Sequence, residues 1–356
     1  MGIKLLNKFI RQHCNDDSCI KKIHLSEMKG KKIAVDTSIF LYRFKGDQAL
    51  CENFYNMCSI FLQYNITPLF IFDGKPPKEK EDELKKRHEE KKSAEEEYDR
   101  LIEDVKDIKD PVEREEMLQK INELQKKFIR IKKNDISTIK HMIQGFGMSY
   151  VDAPGEADVL CAALMQKKKV HAVLSEDMDL FVYGCQNILR YFSLIQHSAV
   201  LYKTPNIIER LHMEREAFMH MCILAGTDYN SDEKKQGRRT IFDYYKKFTQ
   251  WRVQMRQKER MMSTASKESG VDSSNNKSVN NVVDVNDNDN DTYLGFVKES
   301  FDDVDVDAVQ HIMHMYDIDF AKIAHENIIK NVMIKNTSVN QDHLKDELTK
   351  EGFVFL

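Results

Sequence analysis

Seven acidic side chains stand where apolar segments end or begin. Asp36 closes KKIAVD, Asp73 closes TPLFIFD, Glu156 and Asp158 open GEADVLCAALMQ, Asp177 and Asp179 follow VHAVLS, and Asp228 follows REAFMHMCILAGT. Bare carboxylates gathered in one place repel, by about 4 kcal/mol for two of them ~4 Å apart at an effective dielectric of ~20. Divalent cations remove that cost, and an all-oxygen donor set without His or Cys favours Mg²⁺ or Mn²⁺ over zinc. Seven acids exceed the needs of one Mg²⁺, whereas a pair of ions about 4 Å apart is the usual clamp for in-line displacement at phosphorus. Each acid alone has a plainer reading: Asp36 and Asp73 could cap helices or turns, and Glu156 and Asp158 suit a helix N-terminus. Their recurrence in five segments is what points to metal-assisted phosphate chemistry.

The elements between these acids say how they would be brought together. KKIAVDTS (31–38) and TPLFIFDGKPP (67–77) read as buried parallel strands, joined by a helical segment that Gly46 breaks. MSYVDAP, VHAVLSEDMD, NILRYF and AVLYK read as further strands, GEADVLCAALMQKKK and REAFMHMCILAGTDY as helices. Alternating strands and helices predict an α/β fold with a mostly parallel central sheet flanked by helices, whose strands end on one common edge. On an extended segment Asp177 and Asp179 share a face and Glu176 points the other way. Glu156 and Asp158 diverge by about 200° in a regular helix, so both serve one site only at its first turn.

Residues 78–133 differ in kind. The stretch from Lys78 to Asp110 is almost continuously charged, Pro111 interrupts it, and Met117, Ile121, Leu124 and Phe128 then recur at helical spacing. This predicts a helical excursion from the sheet. Near 262–292 the composition collapses to Ser, Asn and Asp, which predicts a disordered insertion. A calcium loop starting at Asp284 fails, with Asp289 at its sixth position and Gly295 at its twelfth.

A net charge of −4 neither supports nor excludes nucleic acid, so a polyanion would have to meet a local basic patch. Seven scattered cysteines without a CxxC pair read as reduced thiols. The N-terminal MGIKLLNKFIRQ is too interrupted by Lys and Arg for a signal peptide, and no run could span a membrane, so a soluble intracellular protein is expected.

The opening MGI, then VDTSIFLY, FDGKPP with its charged helix, APGEAD, SEDMDLFVYG and LAGTDY, in that order over most of 1–250, resemble the flap endonuclease group of the structure-specific 5′ nucleases. The resemblance implies a PIN-like nuclease fold with a helical arch over the active site and a C-terminal helical region. It also implies roles for individual residues. Asp36, Asp73 and Glu156 would ligate a first Mg²⁺, Asp158 would be shared, and Asp177, Asp179 and Asp228 would ligate a second, with Mn²⁺ able to substitute. Lys80 and Arg87, seven and fourteen residues after Asp73, match the arch residues that hold the scissile phosphate, and their spacing would set both on one helical face. Tyr42 matches the aromatic that stacks a nucleobase, although it could equally face the core, and Gly2 matches an N-terminal glycine near DNA. Glu176 precedes the paired aspartates without being a principal ligand.

Departures from the pattern matter as well. After LAGTDY the family's GIG-type loop is absent; NSDEKKQGRRTIFDYY is expected to bind phosphates through Lys234, Lys235, Arg238 and Arg239, with a potassium site in doubt. QDHLKDEL near 341 has the Gln and an aliphatic residue of a clamp-binding motif but no aromatic pair. Expected regions are 1–104 (with the arch over about 78–133), 138–258, the insertion 259–292, and 293–356. The expected function is a monomeric endonuclease cutting DNA at 5′ flaps or single-strand/double-strand junctions in replication and repair, in a nuclear or viral replication compartment. The economy of the chain would suit a copy from a large DNA virus. Alternatives are a 5′ exonuclease, a Holliday-junction or recombination nuclease, and an inactive structural DNA-binding protein. An aspartate-nucleophile phosphatase fails because VDTS lacks a second aspartate.

Overall fold

The computed structural model describes residues 2–106, 108, 110–229, 239–268, 289–317 and 322–353. Its strands are β1 (Ile20–His24), β2 (Lys32–Asp36), β3 (Thr67–Phe72), β4 (Ser149–Asp152), β5 (Ala172–Leu174), β6 (Asn187–Ser193) and β7 (Ser198–Lys203). The first ten helices are α1 (Leu6–His13), α2 (Thr37–Gly46), α3 (Leu50–Gln63), α4 (Glu81–Asp104), α5 (Pro111–Gln125), α6 (Lys133–Gly145), α7 (Ala157–Gln166), α8 (Asp179–Val182), α9 (Thr204–Arg210) and α10 (Arg215–Ala225). They are followed by α11 (Ile241–Glu268), α12 (Asp289–Ser300), α13 (Val306–Met315), α14 (Lys322–Asn331) and α15 (Gln341–Lys350).

The chain divides into two compact units, neither contiguous in sequence. One comprises 1–15 with 207–316, the other 16–206 with 317–356. The expected C-terminal region 293–356 is therefore shared between them, because helices at its two ends find different apolar surfaces.

The second unit holds a seven-stranded sheet in the order β1-β7-β6-β5-β2-β3-β4. The pairs β6·β5, β5·β2, β2·β3 and β3·β4 are parallel, and β6·β7 and β1·β7 antiparallel. The predicted mostly parallel sheet is thus present, with β1 an edge strand that its Lys-rich IKKIH gave no reason to expect. The central strands are apolar on both faces, as parallel strands covered by helices must be. Ile33, Val35, Phe70, Phe72, Ala172 and Leu174 join Phe40, Phe44, Phe54 and Phe61 in a core that also takes Met142, Ile143 and Phe146 of α6 and Leu344 and Leu348 of α15. Residues of the other parity, Ala34, Leu69, Ile71 and Val173, are buried on the opposite face, where α7 packs against β2, β3 and β5. By the period of two, Asp36, Asp73 and Ser175 continue that α7 face.

The charged excursion forms a helical pair. Asp110 caps α5 by accepting from Val112 N at 2.8 Å and Glu113 N at 3.1 Å, and Pro111 takes the first position, where no N–H is needed. Ala94 and Leu101 of α4 meet Ile121 and Leu124 of α5 in a small separate core, with Tyr98, Met117 and Phe128 against it. Lys120–Glu97 and Arg130–Glu95 ion pairs fix an antiparallel arrangement. Removing the cap by Asp110→Ala should loosen this pair by about 1 kcal/mol, read as faster amide hydrogen exchange over 112–118 with the exchange of β2 and β3 unchanged.

In the first unit Phe9 of α1 meets Phe242 and Tyr245 edge-on, and Phe248, Trp251, Tyr293 and Phe296 cluster between α11 and α12. The helix α11 runs to Glu268 and α12 begins at Asp289, so regular structure enters both ends of the expected insertion 259–292. No described helix is long and apolar enough to cross a membrane.

Candidate active site

Six of the seven acids belong to the sheet-containing unit, and its topology explains their convergence. Strand β2 lies between β5 and β3, so successive strands depart to either side of it, and a crevice forms beyond its carboxyl end. The register sets Asp36 opposite Ile71 of β3 and Val35 opposite Leu174 of β5. Asp73 is then two residues beyond Asp36's partner, and Ser175 adjoins Asp36 on the other side.

Asp36 is buried, and Ser175 Oγ donates to its Oδ2 at 2.8 Å. Burial pushes the Asp36 carboxyl up to about 8, and the charges of Asp73 and Asp177 add to that rise. Asp73, more open to solvent, accepts from Ala157 N at 2.7 Å. The carboxylate therefore meets the N-terminus of α7, where the helix dipole favours negative charge. A close contact of two loops holds this geometry: Gly74 N donates to Gly155 O at 2.7 Å. A Cβ on Gly74 would stand 2.1 Å from Ala153 O and 2.9 Å from Pro154 C, both backbone atoms. Gly74→Ala should push the Asp73 loop off the Glu156 loop and slow cleavage by roughly 10², measured under single turnover with a thermal melt to show that the fold persists.

Glu156 occupies the N-cap position of α7 without a side-chain cap bond, and Asp158 lies in the first turn, the arrangement required for both to serve one site. Asp158 is 7% exposed. Burial holds its carboxyl well above the usual range; Lys80 opposes that rise, while Glu156, Asp177 and Asp179 reinforce it. Lys80 is itself buried, and its Nζ donates to Glu156 Oε1 at 2.8 Å. The thiol of Cys161, one turn along α7 from Asp158, is raised by burial first and then by Asp36, Asp158 and Asp73 among its neighbours.

Asp177 and Asp179 reach the site differently from the extended geometry expected of them. Strand β5 stops at Leu174. Asp177 N then donates to Ser175 Oγ at 3.0 Å and Asp179 N to Asp177 Oδ1 at 3.0 Å, so side chains claim the amides that a longer strand would have offered its neighbours. Asp179 begins the short helix α8, and both aspartates are buried. Glu176 turns away as expected: its Oε1 accepts from Tyr191 N, and its Oε2 lies 3.4 Å from Arg190 Nη2.

The remaining expected residues separate into groups. Tyr42 is 45% exposed on α2, with Lys91 Nζ 5.0 Å from its ring centre, so the core-facing alternative does not hold. Lys80 sits in a 3₁₀ turn (Lys78–Lys80) ahead of α4. Lys80 is the N-cap residue of α4, and Arg87, seven residues on, sets its Nε 3.0 Å from Glu83 within that helix. Asp228 and Gly2 both lie in the other unit; Gly2 has a φ of 74°, and Asp228 follows buried Thr227. Arg239 donates to both carboxylate oxygens of Asp303, at 2.8 and 2.9 Å, while Lys234, Lys235 and Arg238 lie outside the described residues. The segment considered for clamp binding is α15, whose Leu344 and Leu348 are used internally. Ser175 and the pairing of Lys80 with Glu156 had no signal in the sequence.

Among the described residues no group of three or more His, Cys, Asp or Glu is drawn together closely enough to hold an ion as it stands. The donor set nevertheless fits a hard divalent cation. All donors are carboxylate oxygens, and burial together with mutual repulsion raises Asp36 and Asp158, a penalty that added positive charge removes.

Comparison with known proteins identifies relatives of this chain. Residues 1–94 match the XPG N-terminal domain and residues 147–228 the XPG I-region. Flap endonuclease 1 of Meyerozyma guilliermondii is 32% identical, over 69% of this chain and 67% of its own length. Flap endonuclease 1-B of Oryza sativa is 30% identical over 64% of this chain and 57% of its own, so the match spans between just over half and two thirds of such relatives. The catalytic core of Rad2 in complex with DNA substrate shares the fold at a TM-score of 0.60 and 18% identity, over 99% of this chain and 96% of that one. On the strength of its sequence relatives, this chain belongs to the XPG family, together with the flap endonucleases.

Proposed function

We propose that the protein is a structure-specific DNA endonuclease that hydrolyses phosphodiesters at 5′ flaps or single-strand/double-strand junctions, leaving a 5′-phosphate. The observation that carries this reading is the gathering of Asp36, Asp73, Glu156, Asp158, Asp177 and Asp179 with one buried lysine at the carboxyl edge of the sheet. Asp36, Asp73, Glu156 and Asp158 would hold one Mg²⁺ or Mn²⁺, and Asp158, Asp177 and Asp179 a second. Ions bound there supply Lewis-acid activation of water and stabilisation of the leaving 3′ oxygen. The chain's own part is positional. Ser175 orients Asp36, the α7 N-terminus orients Asp73, and Lys80 and Arg87 offset charge that develops on the phosphate.

Around the site, Tyr42 offers an exposed ring on which a base at the junction can stack. Lys234, Lys235 and Arg238 would add salt-dependent backbone contacts, and shape and bendability of the DNA would govern recognition more than sequence. An inactive structural role is disfavoured by the cost of burying these acids.

The decisive experiment is a panel of 5′-flap, nicked, blunt and four-way DNA substrates with and without Mg²⁺, with each cut mapped to the nucleotide. Mg²⁺-dependent cleavage within a nucleotide or so of the flap junction is expected. Preferential paired incision of the four-way junction would select the Holliday-junction alternative, and stepwise mononucleotide release the exonuclease.

A further inference from the structure

Lys80 occupies an unusual position for a lysine in a charged surface segment. It is 6% exposed, its ammonium lies 2.8 Å from Glu156, and its charge is felt by Asp158 against the opposing influence of three carboxylates. A side-chain cation thus already stands inside the acid cluster. We propose that Lys80 is the resident counter-cation of the metal-free site and exchanges with a divalent ion, leaving Glu156 as the ion is taken up and returning when it is lost.

This inference rests on the two-ion reading of the acids and adds an order of events to it. An ammonium has three donors and no lone pair, so Lys80 cannot become a ligand while charged. Held at Glu156 beside an ion on the same carboxylates, it would face repulsion from that ion at close range. Withdrawing Lys80 with no ion in its place would leave the clustered carboxylates to repel one another uncompensated. Exchange avoids both states.

The local structure permits the movement without disturbing the acids. Gly74 is fastened to Gly155, which holds Asp73, whereas residues 74–77 have no regular structure and Lys80 closes a 3₁₀ turn that leads directly into α4. Rotation of a flexible four-carbon stem is enough to withdraw the ammonium. Lys80 would thereby become available to the scissile phosphate only once the acids have taken up their ion, so an unloaded site would not engage DNA productively.

The test is a calorimetric titration of Ca²⁺ into chelator-treated protein without DNA, which reads binding rather than turnover. Lys80→Met keeps the stem and removes the charge. It should bind Ca²⁺ about tenfold more tightly than the wild type and melt at a lower temperature when metal-free. Lys80→Gln carries the same expectation should Lys80→Met not fold. Unchanged or weaker Ca²⁺ binding in these variants, with Asp158→Asn abolishing it, overturns the exchange while leaving the acid site intact. No Ca²⁺ binding by wild type or variants overturns the two-ion reading itself and the exchange with it.

Discussion

Asp177→Asn should lower Mg²⁺-dependent cleavage of a 5′-flap substrate by at least about 10³, whereas Glu176→Gln should stay within about threefold of the wild type. A factor of ~10³ corresponds to roughly 4 kcal/mol of lost transition-state stabilisation, a reasonable loss when one ligand of a catalytic ion is neutralised. The neighbouring glutamate is spared for a reason visible in the structure. Its carboxylate is directed to Tyr191 N and Arg190 on β6, and Gln can still accept from Tyr191 N. Arg190 also keeps its bond to the Glu176 carbonyl at 3.0 Å. Single-turnover rates on one substrate decide the matter: equal losses from the two variants would refute the assignment, as would full activity in Asp177→Asn.

Asp36→Asn should abolish cleavage and yet stabilise the metal-free protein at alkaline pH. Folding raises the Asp36 carboxyl from 3.8 to about 8, so between those values the native state binds more protons than the unfolded one. Stability then falls as pH rises through that window and levels off above it. With about 1.4 kcal/mol per pKa unit, the limit is on the order of 5 kcal/mol, reduced by whatever relaxation the site allows. Asparagine removes the buried charge and can still accept from Ser175. Thermal melts in chelator at pH 5 and pH 9 should therefore show a modest advantage for the variant at the lower pH and a larger one, of several degrees, at the higher. Added Mg²⁺ should raise the Tm of the wild type at pH 9 and narrow the gap. A variant that melts no higher than the wild type at pH 9 would show that Asp36 is not held under strain.

The sequence was most informative where one physical demand dominated. Strands buried on both faces must be continuously apolar, so β2 and β3 stood out, and Asp36 and Asp73 at their ends were conspicuous against that background. Pro111 marked the break before a resumed helical pattern, because a residue without an N–H is at home in a helix's first turn, and the structure adds Asp110 as the cap of α5. Legibility failed where local hydrogen bonds competed with the pattern. VHAVLSEDMD reads as one strand, but Ser175 and Asp177 capture the amides of Asp177 and Asp179 and bend the chain after Leu174. It failed again where charge concealed burial. Nothing in KEKEDELKK distinguishes Lys80, which is buried against Glu156, from the exposed lysines around it. The edge strand β1, with two lysines in five residues, was hidden by the same mixture.

The docking of α15 onto α6 has a consequence for how the protein is made. Leu344 and Leu348 complete a core whose other members, Met142, Ile143 and Phe146, are about two hundred residues earlier in the chain, and Gly145 leaves room for Leu344, whose side chain would stand 2.7 Å from a Cβ there. During synthesis the nuclease sheet therefore emerges and pairs with part of its apolar surface still open, waiting for a helix that leaves the ribosome tens of seconds later at ordinary elongation rates. Over that interval the nascent chain is a natural client for chaperones, and a stop codon just before Gln341 would turn this passing exposure into a permanent one.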